Sequence, residues 1–194
     1  MFSVVVLISG SGSNLHALLA ACDSPLYPVR VLAVGADNPA DGLAHAELFG
    51  VPSFVVDPGH FEDRGAWAKT LGDNIEFFNP DLVVLAGFMK ILPADFVNRF
   101  QGKLINLHPS LLPLFPGAHA VRDALAAGAT TTGATIHLVD EGVDTGRVLV
   151  QQSLDIPQGI SESELHELIK KLEREMLVQT VLEIAEGTLK LEEN

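Results

Sequence analysis

The sequence predicts an α/β fold: an open, mostly parallel, twisted sheet with helices on both faces and one antiparallel strand in its C-terminal half. Three observations carry this. Short apolar, β-branched runs at residues 4–8, 29–34 and 81–86 alternate with segments of helical length, which implies parallel strands joined by right-handed crossovers. The run at 4–8 is apolar at every position, as a strand buried on both faces is. In the second half, strands at 133–138 and 147–154 follow one another without a full helix between them, so that pair is predicted to be antiparallel.

In chain order, a strand at 4–8 leads through a Gly/Ser turn at 9–14 into a helix at 15–22. A strand at 29–34, a helix at 42–49, a short strand at 54–56, a longer helix at 61–78 and a strand at 81–86 follow. A strand at 104–107 then runs into a loop stiffened by Pro109, Pro113 and Pro116, and a helix occupies 121–127. The last element is a helix opened by the capping box of Ser161 and Glu164, with Leu165, Leu168, Ile169, Leu172 and Met176 at helical spacing. No linker interrupts the pattern, so one continuous sheet is expected, with a cleft between an N-terminal and a C-terminal lobe.

The chain has 194 residues, 47% of them apolar and 19% charged, a balance that requires a packed core and fits one compact domain. Its net charge of -13 excludes a basic nucleic-acid footprint. Cys22 is the single cysteine. It cannot form an internal disulfide, and its place in a helix makes it a small core residue. The apolar run at 2–8 is too short to span a bilayer and follows no basic segment. A soluble protein of the reducing cytoplasm, with no membrane partner, is expected.

Ser9-Gly10-Ser11-Gly12-Ser13-Asn14 joins the first strand to the first helix. Glycines there allow a tight turn, and the helix N-terminus offers free N–H groups to an anion. Leu15 stands where a dinucleotide fingerprint needs its third glycine, and no lysine of a triphosphate loop is present. A single phosphate monoester is the better fit. Asp37, after the second strand, keeps a dinucleotide-binding reading open.

Asn106 and His108 lie two apart on a strand ending at Pro109, so they point to the same side, at the carboxyl end of the sheet where ligands bind. An amide donor and a histidine suit acyl transfer: one stabilises an oxyanion, the other also moves protons. A carboxylate to support the histidine is available from Asp140, Glu141 or Asp144, in a loop that Gly142 and Gly146 make flexible. Single histidines are more often structural than catalytic, and His16, His45, His60 and His166 fall in that class. His137, within a strand, stays open. His119 is a candidate supporting residue beside the rigid loop.

The run Leu104-Ile105-Asn106-Leu107-His108-Pro109-Ser110-Leu111-Leu112-Pro113 and the block Asp140-Glu141-Gly142-Val143-Asp144-Thr145-Gly146 resemble the signatures of formyltetrahydrofolate-dependent transferases, which share a Rossmann-like fold. The phosphate loop, the segment Leu85-Ala86-Gly87-Phe88-Met89-Lys90-Ile91-Leu92 and the overall length are most similar to the members that formylate glycinamide ribonucleotide in de novo purine synthesis. The resemblance implies one domain over 1–194, with a nucleotide-phosphate half at 1–100 and a catalytic and folate half at 101–194. It implies 10-formyltetrahydrofolate as co-substrate, no metal, no covalent enzyme intermediate, and a monomer or homodimer. Asn106, His108 and Asp144 would be catalytic. Ser11, Gly12, Ser13, Asn14 and Glu173 would hold the ribonucleotide. Arg64, Met89, Lys90, Ile91 and Leu92 would face the folate, with Asn106 and the loop Asp140, Glu141, Gly142, Val143, Asp144. Lys90 stands where arginine is also common, and the contact implied there is largely backbone. Leu112–Pro113 is the implied cis bond. Members that act on transfer RNA would carry a further C-terminal domain and a basic surface, and the hydrolases of the family would have an extra N-terminal domain and lack this phosphate loop.

Overall fold

The first strand, β1 (Phe2–Ile8), is an interior strand of the sheet. Val4, Val6 and Ile8 point into one hydrophobic core, Val5 and Leu7 into another, and all five are fully buried. A strand with a core on each face must be apolar at every position, which is why its sequence does not alternate. The computed structural model of the protein describes residues 1–191.

The elements that follow are α1 (Ser13–Cys22), β2 (Val29–Ala36), α2 (Leu43–Leu48), β3 (Ser53–Val55), α3 (Arg64–Phe77), β4 (Leu82–Leu85), α4 (Ala94–Arg99), β5 (Leu104–His108), α5 (Ala120–Ala126), β6 (Thr131–Leu138), β7 (Val148–Asp155) and α6 (Glu162–Ala185). The sheet has the order β3-β2-β1-β4-β5-β6-β7. All neighbours from β3 to β5 are parallel, β6 is antiparallel to β5, and β7 is antiparallel to β6. Only β6 therefore runs against the rest, as expected. One core lies beneath α1, α5 and α6, the other beneath α3 and α4.

Two elements depart from expectation. The helix expected at 61–78 starts only at Arg64, because the Asp63 carboxylate caps it by accepting from the Ala66 N–H at 2.8 Å. A separate 3-10 turn, Pro58–His60, precedes it. The helix α4 is not foreseen by the pattern: it has six residues and turns only Phe96 and Val97 inward, too few for a detectable period. The Ser161–Glu164 capping box opens α6 as expected, and Leu112–Pro113 is cis. Cys22 is half-buried, and burial pushes its thiol up to about 11, so it is no ready nucleophile. Among the described residues, no helix is long and apolar enough to cross a membrane.

Candidate active site

The chain runs outward from β1 through β2 to β3, then returns to place β4 on the other flank of β1. That reversal opens a crevice at the carboxyl ends of β1 and β4, where α/β sheets bind ligands. A cleft of about 390 Å³ lies beside it, at the carboxyl ends of β4 and β5. The phosphate-loop sequence follows β1, the segment 87–92 follows β4, and Asn106 and His108 close β5.

Asn106 and His108 share a face of β5, and the antiparallel register sets His137 of β6 opposite Asn106. The Asn106 amide lies 3.2 Å from His137 Nε2. His137 Nδ1 donates to the Leu138 carbonyl at 2.8 Å. This leaves Nε2 as an acceptor and assigns the facing Asn106 atom as the NH₂ donor. One of its two hydrogens is engaged by His137 and the other is free for a ligand.

His108 is 4% exposed. Its Nε2 donates to the Phe115 carbonyl at 2.8 Å, and its Nδ1 lies 3.3 Å from Asp144 Oδ2. The same carboxylate oxygen accepts from the Gly117 N–H at 2.7 Å, while Asp144 Oδ1 lies 3.6 Å from His137 Nε2. Burial works against a charge on Asp144, but its polar neighbours, among them the Gly117 amide and His108, outweigh it and hold the carboxyl below its ordinary value.

Two residues of this cluster are held in special backbone conformations. Phe115 and Asp144 adopt φ of 53° and 55°, a left-handed region that is uncommon outside glycine and costly for phenylalanine. The proline-rich loop is braced beneath them. Thr135 Oγ1 donates to the Ser110 carbonyl at 2.6 Å and accepts from the Leu112 N–H at 3.2 Å, and Gln151 donates to the Leu112 carbonyl at 2.9 Å. Glycine in the 140–146 loop serves a different purpose from the expected looseness. A side chain at Gly146 would overlap the Leu138 carbonyl, so this glycine lets the loop fold tightly back on β6.

Most of the expected folate-side residues border the cleft: Met89, Lys90, Ile91 and Leu92 on one wall, Asp140, Gly142 and Val143 on the other. Two do not. The Glu141 side chain turns away to accept from Asn98 of α4 at 2.9 Å. Arg64 lies behind the wall and donates to the Ile91 carbonyl, so it braces the segment rather than lining the space.

The Ser11–Asn14 turn and Glu173 meet through an Asn14 contact, apart from the residues that line this cleft. Gly12 has φ 69°, and a Cβ there would come within 2.9 Å of Gly42 Cα, so only glycine permits the turn. Asn14 and Glu173 are each 7% exposed, and the Asn14 amide donates to Glu173 at 3.2 Å. Asn14 Oδ1 is buried with no partner among the described residues. Burial pushes the Glu173 carboxyl up, and Asn14, Lys170 and Arg174 offset this only in part.

Several positions go beyond the sequence reading. His137 joins the Asn106–His108–Asp144 cluster through cross-strand register, which the sequence does not display. His119 and His166 border the cleft. His45 sits 3.2 Å from the Ser11 carbonyl, with the His16 ring 4.9 Å away. Phe115 contributes only a carbonyl, for which no side-chain signal exists.

An amide donor, a histidine and a supporting carboxylate beside a ligand cleft define a site for acyl-group transfer. Residues 2–181 match the Formyl transferase family, and the chain belongs to that family. Relatives of matching length include the phosphoribosylglycinamide formyltransferase of Mycobacterium tuberculosis, 47% identical over 182 residues that make up 94% of this chain and 84% of the relative. The enzyme of the same name from Escherichia coli is 38% identical over 194 residues, covering 99% of this chain and 91% of its own. The crystal structure of glycinamide ribonucleotide transformylase 1 from Symbiobacterium toebii superposes with a TM-score of 0.93 at 36% identity, covering 96% of this chain and 89% of that one.

Proposed function

We propose that the protein transfers the formyl group of 10-formyltetrahydrofolate to the primary amine of glycinamide ribonucleotide, a step of purine synthesis carried out in the cytoplasm. The observation that carries this reading is the Asn106–His108–Asp144 cluster at the mouth of a cleft whose other side runs toward the phosphate-loop sequence. The amine attacks the formyl carbon, forming a C–N bond and placing negative charge on the formyl oxygen. The free hydrogen of the Asn106 amide donates to that oxyanion, and His108 joins it once its Nε2–H leaves the Phe115 carbonyl for the ligand. The tetrahedral species collapses, the carbon–N10 bond breaks, and the proton lost by the amine passes to N10 with His108 as relay. Asp144 stabilises the imidazolium during this exchange, and His137 keeps the Asn106 amide turned the right way.

The ribonucleotide phosphate would sit on the N–H groups of the Ser11–Asn14 turn. The free acceptor on Asn14 and the carboxyl of Glu173 suit the hydroxyls and amine of the same ligand. The pteridine would lie between the 89–92 wall and the 140–144 loop. Both Arg64 and Glu141 then act on the folate pocket from behind, through the Ile91 carbonyl and through α4.

The deciding assay incubates purified protein and 10-formyltetrahydrofolate with glycinamide ribonucleotide, with methionyl-tRNA, or with neither. Formyl glycinamide ribonucleotide is the expected product. Formate release without a formylated acceptor would redirect the assignment to hydrolysis.

A further inference from the structure

Asp37 follows directly on β2 and has no part in the transfer outlined above. It is 3% exposed, and a carboxylate at that depth requires charge or donors nearby. Lys90 Nζ lies 3.5 Å from its Oδ2, and the Asn38 amide donates to its Oδ1 at 2.9 Å. The same amide donates to the Ser9 carbonyl at 3.0 Å. Ser9 Oγ accepts from the Met89 N–H at 2.8 Å, and the Ser9 N–H donates to the Gly87 carbonyl at 3.1 Å. One polar cross-link thus joins the ends of β1, β2 and β4. It connects the root of the phosphate loop, the corner at 37–38 and the 87–90 segment of the cleft wall. A ribose-binding role for Asp37 does not survive this arrangement, because its carboxylate is enclosed and already engaged.

We propose that Asp37 is a positioning residue for the formyl donor: it holds Lys90 and thereby sets the 87–92 wall against which the folate lies. The inference rests on the formyl-transfer reading above. Asp37 itself touches no ligand. The effect is modest, because the Lys90 side chain is 42% exposed and water screens the pair.

The test compares the full-length parent with Asp37→Asn, Lys90→Met, the double variant and Lys90→Arg. Calorimetry with tetrahydrofolate and with glycinamide ribonucleotide gives the affinities, and steady-state assays give kcat. Asp37→Asn and Lys90→Met should each weaken tetrahydrofolate by about threefold to fivefold, with the double variant no worse than either, as for one screened pair. Lys90→Arg should return to within about twofold of the parent, because it keeps the charge. Nucleotide affinity in every variant, and kcat in Asp37→Asn, should move by less than about twofold, within what a single half-exposed pair can shift. Unchanged tetrahydrofolate affinity in folded Asp37→Asn, or losses that multiply in the double variant, would overturn the proposal. Should Asp37→Asn fail to fold, Lys90→Met decides alone, with unchanged affinity counting against it. A parent protein that binds no tetrahydrofolate would overturn the formyl-transfer reading, and this inference with it.

Discussion

Asp144 and Glu173 are both carboxylates of the site, and their surroundings push them in opposite directions. Asp144 is favoured in its ionised form by a backbone amide and His108, in spite of burial. Glu173 is more deeply enclosed, with the neutral Asn14 amide as its one close donor, and burial drives it toward the protonated form. The difference teaches where each kind of chemistry sits. A fixed negative charge serves the end where a cationic histidine must form and relax. On the proposed reading, a carboxyl that burial pushes up serves the end that receives an amine or hydroxyl beside a phosphate. Placing the two in unlike environments separates the proton-handling end from the recognition end.

Four experiments sharpen or break this contrast. The largest effect is expected from His108→Ala, which should lower kcat at least ~100-fold, the lower range for general acid–base catalysis; near-normal turnover would remove the histidine from the mechanism. Asp144→Asn should reduce kcat by roughly tenfold or more, less than the histidine variant, since it removes only the support of the relay. Asn14→Ala should raise the KM for glycinamide ribonucleotide by about tenfold, the cost of one buried hydrogen-bond partner, with a smaller change for the folate. A larger folate change would mean that the two ligands have been assigned to the wrong ends.

The smallest effect is on stability, and it runs with opposite sign at the two carboxylates. A carboxyl raised by folding costs stability as pH rises above its unfolded value, 4.5 for Glu173. Glu173→Gln should therefore melt about 2–4 °C above the parent near pH 7, and the gap should close as pH falls toward 4.5. For Asp144, depressed below 3.8, the contribution is present at neutral pH and disappears as pH falls through the folded value. Asp144→Asn should accordingly flatten the acid side of the stability profile, measured by thermal melts. A Glu173→Gln variant less stable than the parent at pH 7 would erase the contrast.

Much of this molecule is legible in its sequence, for reasons that differ by region. The central strands announce themselves because burial on two faces forbids polar residues, as at Val4–Val6 and Leu82–Leu85. The α6 start is legible because Ser161 and Glu164 are both needed for one local motif. Asn106 and His108 share a face by strand geometry alone. What stays hidden depends on contacts distant along the chain. His137 joins the site because β6 pairs with β5 in one register out of several, and nothing local marks it. Glu173 looks like any surface glutamate of an amphipathic helix; resemblance to relatives singled it out, and only packing of α6 on α1 explains its burial. The short α4, with two inward side chains, falls below the length at which periodicity can be seen.

The pairing of Asn14 with Glu173 spans 159 positions along the chain. During synthesis the phosphate loop emerges with the first strand and helix, while its carboxylate partner emerges on the last helix. A nascent chain can therefore assemble the central sheet and the Asn106–His108 face before it owns a complete nucleotide pocket. On the proposed reading, recognition of the acceptor is acquired only when α6 docks on α1.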